Sequence, residues 1–263
     1  MRKSIILLFA LFIGASTFAQ DEKTAAGLYN EGLAFLKAKD YAAGLPILEA
    51  ALEKATTDEN EKIVGLAKKN GAIAASNLGN AMKKAGSIDE ALVLYSKGIE
   101  WRPEYAANYR GFASVTNEKG DKIGAVKAYI VAGDKYTASE KAKYASSMYK
   151  KAKNIVALLY KEKDYPKTIE AGKAHLELKD NADVAYYVSR SNTETIANEE
   201  AITYADKAIT ISGDTVDDKY YVAKAKAYEK MGKNADAVEA YKLVTGEKYK
   251  ATAEGKIKLL GSK

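Results

Sequence analysis

The sequence predicts an all-α protein: an α-solenoid of about six helix-turn-helix repeats closed by a C-terminal capping helix. Three observations carry that expectation. First, residue types return at a fixed offset of 34, with Gly86 recurring as Gly120, Ala91 as Ala125 and Tyr95 as Tyr129. Second, a unit holds two stretches with apolar residues at three- and four-residue spacing, such as 77–85 and 89–99. Gly86 and Ser87 lie between them, to end one helix and help start the next. Third, 47% hydrophobic and 29% charged residues suit a chain that buries a core.

The first element stands outside this pattern. A short basic start with Arg2 and Lys3 precedes the uncharged run 5–15, and Thr17 and Ala19 supply small side chains. Residues 1–19 are therefore expected to be a Sec-type secretory signal cut between Ala19 and Gln20, leaving a periplasmic or secreted chain. An uncleaved anchor is the alternative, although the run is too short to span a bilayer as a helix. No Cys follows to take a lipid. Loss of the leader lowers the net charge from +6 to +4, a mild excess.

The repeats then follow in order. Leu28, Gly32, Phe35, Asp40-Tyr41, Leu48 and Ala51 mark a first unit over 25–58, in which Gly44 takes a slot that holds alanine elsewhere. The second, over 72–105, carries Ala75, Leu78-Gly79, Met82, Gly86, Ala91, Tyr95, Gly98 and Pro103. Tyr109, Phe112-Ala113, Gly120, Ala125, Tyr129 and Ala132 mark the third, over 106–139. The unit 149–182 keeps Ala152, Ile155, Leu159 and Asp164-Tyr165 but has Thr168 and Gly172 in slots for alanine and a large residue. The unit 182–215 keeps Ala185, Val188, Ala201 and Ala208 and loses the aromatics and the turn glycine. The last, over 218–251, carries Tyr221, Ala225, Tyr228, Gly232, Ala237 and Tyr241.

This pattern resembles the tetratricopeptide repeat family. The resemblance implies a right-handed superhelix in which small residues let antiparallel helices approach while Tyr95, Tyr129 and Tyr241 fill the space between one pair and the next. Segments 59–71 and 140–148 read as helical insertions that lengthen the first helices of the second and fourth units. Residues 247–260, with Tyr249, Ala253, Ile257 and Leu260, read as a cap for the last apolar face. The prolines fit this register, with Pro166 at a helix start, Pro46 in a first turn and Pro103 after a helix end.

Composition weighs against most catalysis. There is no Cys and a single His, so neither a cysteine nucleophile nor a Cys- or His-pair metal site is available. His175, near Leu176 and Leu178, reads as a packing residue. Asp214, Asp217 and Asp218 lack the spacing of a calcium loop and read as capping groups for the helix that follows. Gly-rich phosphate loops and a serine elbow are absent. The expectation is a non-enzyme without metal or cofactor. Lysine pairs such as Lys68-Lys69 and Lys83-Lys84 read as solvated helix faces rather than a nucleic-acid surface.

For function, the family resemblance implies a concave face, built by the first helices, that holds a peptide or protein partner. Projecting the register places Asn77, Asn80, Lys84, Arg110, Asn117, Lys153, Asn154, Tyr186, Tyr187 and Arg190 on or near it. Asn can pair with a peptide backbone, and Lys and Arg favour an acidic partner. The set does not reproduce the Lys/Asn/Asn/Lys/Arg carboxylate clamp of some family members, so chaperone-tail binding is not implied. The expectation is thus an exported, non-catalytic interaction scaffold whose mature form does not span a membrane. Two alternatives stand beside it: a self-associating structural envelope component, and a glycan-binding envelope module using Tyr186 and Tyr187. Ordinary exposed polar residues would also account for the Lys and Asn.

Overall fold

The computed structural model describes residues 23–262. The expected signal segment 1–19 lies outside the described residues. Among them there are thirteen helices and no strand. In chain order these are α1 (Ala25–Lys37), α2 (Tyr41–Thr57), α3 (Glu61–Ala85), α4 (Ile88–Trp101), α5 (Ala106–Glu118), α6 (Lys122–Ala138) and α7 (Ala142–Lys161). They continue as α8 (Tyr165–Leu178), α9 (Ala182–Glu194), α10 (Asn198–Ser212), α11 (Asp218–Lys230), α12 (Asn234–Lys242) and α13 (Glu247–Gly261). Each packs on the next, and α1–α12 form six antiparallel pairs, an α-solenoid. Residues 61–71 run unbroken into the rest of α3, and 142–148 into the rest of α7.

Local chemistry sets the boundaries. Thr24, Asp40, Asn60, Asp121, Asp164, Asn181 and Asp217 each accept a hydrogen bond from a first-turn backbone N–H of the helix they precede. Left-handed residues stop the first helices. Gly86, Gly120 and Gly232 do so at φ of 86°, 93° and 71°, as glycine allows. The units that lack a turn glycine use the same geometry with side chains attached, at Lys39, Lys163 and Ile196, whose φ are 62°, 62° and 65°. A β-branched residue there is strained, and Ile196 is 82% exposed, so burial offsets little of that strain.

One proline departs from expectation. Pro46 is the sixth residue of α2, in its second turn, so the Ala42 carbonyl lacks its usual intrahelical partner. The helix nevertheless runs on to Thr57, held by Leu45, Leu48, Ala51 and Ala55 on its buried face.

The core depends on close helix approach. Tyr95 of α4 is fully buried, its ring wedged between Gly79 of α3 and Gly111 of α5, and its hydroxyl donates to Asn80 Oδ1 at 2.8 Å. An added Cβ at Gly79 would lie 2.9 Å from the ring, and one at Gly111 would collide with it. Asn108 of α5 fills the matching gap above Gly98 and donates to the Ala72 carbonyl at 3.1 Å, binding three helices together. The irregular slots noted in the first and fourth units obey the same rule. Leu36 occupies the space beside Gly44, Val188 that beside Gly172, and buried Thr168 bonds the Asp164 carbonyl at 2.7 Å.

One junction is different. Elsewhere the first helices of successive units touch, as in α1 with α3, α3 with α5, α7 with α9 and α9 with α11. Between the third and fourth units, α5 and α7 are not packed together. Instead α7 lies along α6, and the second helices α6 and α8 pack closely on each other, whereas α2 with α4 and α8 with α10 meet through long side chains such as Lys97–Glu49 and Lys173–Glu200. The Tyr149 ring seats on Gly133, its hydroxyl donates to Asp134 at 2.7 Å, and Tyr136 stacks on Tyr144 at 5.3 Å. One apolar core still crosses the junction, from Ala106 on α5 to Tyr220 on α11.

Gly111→Ala is expected to destabilise the protein by about 1–3 kcal/mol, because Tyr95 has no room to retreat. Urea unfolding followed by circular dichroism measures it, and a loss under 0.5 kcal/mol would contradict this account of the slot. Ile196→Gly is expected to stabilise by about 1 kcal/mol, since relief of the left-handed strain exceeds the entropy of an added glycine. An unchanged or lower unfolding midpoint in the same assay would refute it.

Candidate functional site

The residues projected onto an inner face divide into groups. On α3, Asn77 donates its amide to the Ile73 carbonyl within its own helix at 2.9 Å, and Asn80 accepts from Tyr95. Only Lys84 there points to solvent without a partner among the described residues.

The separation of α5 from α7 leaves open space, and three of the projected residues border it. Asn117 and Asn154 come together in a cleft of about 280 Å³ with Lys122, Lys151 and Leu158. Lys122 Nζ donates to both oxygens of Asn117 at 3.0 Å. Leu158 is 50% exposed, and the phenol of Tyr129 forms part of the wall. Arg110, two turns before Asn117 on α5, faces a different cleft at the other end of the helix.

The third group is the most organised. Tyr186 and Tyr187 of α9 belong to a strip of rings running across α7, α9 and α11. Tyr160 contacts Tyr165, Tyr186 and Tyr187 at centroid distances of 6.2, 6.4 and 5.2 Å, and Tyr186 contacts Tyr220 at 5.8 Å. All but Tyr220 are partly exposed.

A charged triad braces this strip. Asp183, in the first turn of α9, accepts from Lys153 Nζ at 2.9 Å, from Lys219 Nζ at 2.8 Å and from the Tyr220 hydroxyl at 3.2 Å. Burial pushes the Asp183 carboxyl up, but the two bonded ammonium groups outweigh it and hold the group at about 2. Burial opposes the charge on Lys219, while Asp183 and Asp217 more than compensate and raise it. Burial, with Tyr160 alongside, lifts the Tyr186 phenol to about 12, and burial with the Asp183 charge lifts Tyr220 to about 12. Both phenols are neutral hydrogen-bonding groups throughout the physiological range. Lys153 is thus neutralised rather than available to an acidic partner.

Arg190 lies one turn further along α9. It pairs loosely with Glu194 at 3.4 Å and borders a cleft of about 400 Å³ shared with Lys226, Glu229 and Lys256. Burial and the Arg190 charge lower the Lys226 ammonium.

The other singled-out groups are structural. His175 is buried, with Nδ1 3.0 Å from the Lys179 carbonyl, so that nitrogen carries the proton. Burial lowers its basicity. Asp217 caps α11, while Asp218 accepts from the N–H groups of Thr245 and Gly246 and so fixes the start of α13. No group of three or more His, Cys, Asp and Glu among the described residues is arranged to hold a metal. No described helix is long and apolar enough to cross a membrane.

Sequence reasoning missed Tyr160, Tyr165, Asp183, Lys219 and Tyr220. The repeat offset contained part of the signal, since Tyr220 stands 34 residues after Tyr186 and occupies the same slot one unit on. The Asp183 bridge depends on side-chain reach across three helices, which no spacing displays.

Asp183→Asn is expected to destabilise by about 1–2 kcal/mol at neutral pH, after allowing for solvent screening of this partly exposed group. With a folded pKa of about 2, below the ordinary 3.8, the contribution is complete above about pH 4 and is lost as pH falls through about 2. The gap between wild type and variant in thermal unfolding should therefore narrow steadily below pH 4. A gap that is constant from pH 6 to pH 3 would contradict the ion-pair account.

No family model matches the chain, and no curated protein matches it. Solved structures do. YrrB, described as a TPR protein with an unusual peptide-binding site, aligns at 16% identity over 66% of this chain and 84% of its own, with a TM-score of 0.35. A tetratricopeptide repeat protein from Parabacteroides merdae aligns at 16% identity over 91% and 99%, with a TM-score of 0.35. The TPR2AB domain of yeast Sti1 in its pHSP90 complex aligns at 16% identity over 90% and 96%, with a TM-score of 0.34. The described helices, packed in successive pairs, are consistent with an α-solenoid.

Proposed function

We propose that this chain is an exported, non-catalytic interaction scaffold that holds a protein or peptide partner along the first-helix face of its C-terminal half. The observation that carries the reading is the ring-to-ring strip Tyr165, Tyr160, Tyr187, Tyr186 and Tyr220. Tyrosine offers a large contact area at a low entropic cost together with a hydroxyl that can meet a partner's backbone, which is why it is enriched where proteins meet. One end of the strip is held before any partner arrives, because Asp183 bonds Lys153, Lys219 and Tyr220 and Tyr220 in turn contacts Tyr186. Pre-organisation of this kind lowers the ordering cost of binding.

The strip favours a partner recognised by shape and hydrogen bonding, with the Asn117–Asn154 cleft and the Arg190 cleft at its margins. A preference for acidic partners would have to come from Lys84, Arg110 and Arg190, since Lys153 is paired. The N-terminal pattern favours export through a Sec-type signal to the periplasm or beyond.

The experiment is a quantitative capture assay with the mature chain. Tyr160→Ala/Tyr187→Ala is expected to reduce the amount of partner retained from an envelope extract about tenfold or more, as hot-spot truncations do. Matching circular dichroism spectra and a Lys207→Gln control separate binding from folding. Undiminished capture by the double variant would overturn the strip as the binding surface. N-terminal sequencing of the protein from fractionated cells tests export, with Gln20 the expected first residue and Met1 the contrary result.

A further inference from the structure

A cleft of about 680 Å³ opens where the first turn of α5, the C-terminal end of α6 and the first turn of α7 meet. Four cations line it: Arg102, Arg110, Lys135 and Lys141. Its one lining carboxylate, Glu104, is already bonded to Arg102 Nε at 2.5 Å. That contact holds the Glu104 carboxyl below its ordinary range, so it is ionised and satisfied. Arg110, Lys135 and Lys141 make no ion pair among the described residues. Four positive charges therefore share one concavity with a single carboxylate, which is bonded to Arg102 and also feels the Lys135 charge, and an anion relieves the self-repulsion of the excess.

The backbone adds to the same field. Of the six first helices, α1, α3, α9 and α11 are capped by Thr24, Asn60, Asn181 and Asp217, whereas α5 and α7 begin at Tyr105 and Lys141 with no side-chain cap. These two uncapped ends are the ones that border the cleft. Their first-turn N–H groups present partial positive charge where the cations already gather. Opposite lies an apolar wall, the stacked Tyr136–Tyr144 pair, with Tyr144 53% exposed.

We propose that this cleft binds a small organic anion. Its carboxylate or phosphate group sits among Arg110, Lys135, Lys141 and the two helix ends, and a sugar or flat ring lies against Tyr136 and Tyr144. The volume falls within the roughly 300–1,000 Å³ typical of small-ligand sites. Arg110 supplies the fixed, planar donor pair that such groups accept bidentately, and the lysines supply adjustable charge. The cleft opens because α5 and α7 do not pack, so the site belongs to the irregular junction and is independent of the tyrosine strip.

The test is a titration of the full chain followed by backbone amide resonances, with glucose 6-phosphate, glucuronate and glucose as probes. Both anions are expected to shift the amides of Ala106, Ala107, Ala142 and Lys143 saturably, with glucose producing no saturable shift. The tighter of the two identifies the preferred anion, and either order supports the proposal. Arg110→Gln and Lys141→Gln should each weaken anion binding at least fivefold. Lys141 is exposed, so its variant keeps the test valid should Arg110→Gln impair folding. Saturable shifts for neither anion, equal binding of glucose, or full affinity in the Lys141 variant would overturn it.

Discussion

The closeness of helix approach is the constraint on which the rest of the structure depends. A helical hairpin of this length cannot bury its apolar face alone and gains stability only by stacking. Stacking at short range requires positions without side-chain bulk, and a large side chain must then fill the seam. Tyr95 between Gly79 and Gly111 meets both requirements at once, and Asn108 over Gly98 meets them in the adjoining seam. Because interiors pack at crystal-like density, such a slot tolerates neither an added methyl nor a missing ring. The face opposite the seams is then released from packing, and residues there can serve recognition.

The junction between α5 and α7 shows what happens when that geometry changes. Residues 142–148 extend α7 along α6, where Tyr149 seats on Gly133 and Tyr144 stacks on Tyr136. These contacts hold α7 to α6 and leave α5 exposed on the side that a regular neighbour would cover. The result is two clefts rather than a seam, with Arg110 at one and Asn117 at the other. A short insertion thus leaves clefts where a regular junction would bury surface, without interrupting the core that runs from Ala106 to Tyr220.

Much of the fold was legible because it rests on local chemistry repeated at a fixed offset. Turn glycines, small residues and seam tyrosines all recur, and each has a conformational or steric reason to do so. The irregular slots were harder to read because they are complementary rather than repeated in type: Gly44 yields to Leu36, and Gly172 yields to Val188. The turn at Ile196 gave no signal because a left-handed isoleucine is unfavourable and persists only where the surrounding hairpin imposes it. The projected inner face is a different matter. Register assigns Lys153 and Tyr186 to it, but the neutralisation of Lys153 by Asp183 depends on side chains from three helices converging, information that lies in the packing.

That neutralisation separates two kinds of surface built from the same residue types. In the tyrosine strip, cations meet a carboxylate within the protein, so the surface carries little unbalanced charge and presents rings that contact one another, with the Tyr220 hydroxyl bonded to Asp183. In the α5–α7 cleft, Arg110, Lys135 and Lys141 make no ion pair, and the one carboxylate there, Glu104, is bonded to Arg102. Leaving three cations together is costly unless water or a counter-ion screens them, and a half-enclosed cleft screens less than an open surface does. The protein could relieve this with a single carboxylate cap at Tyr105 or Lys141, as it does at Asn181 with an amide and Asp217 with a carboxylate. It does not, and the charge left over is the feature that a packing argument alone does not require.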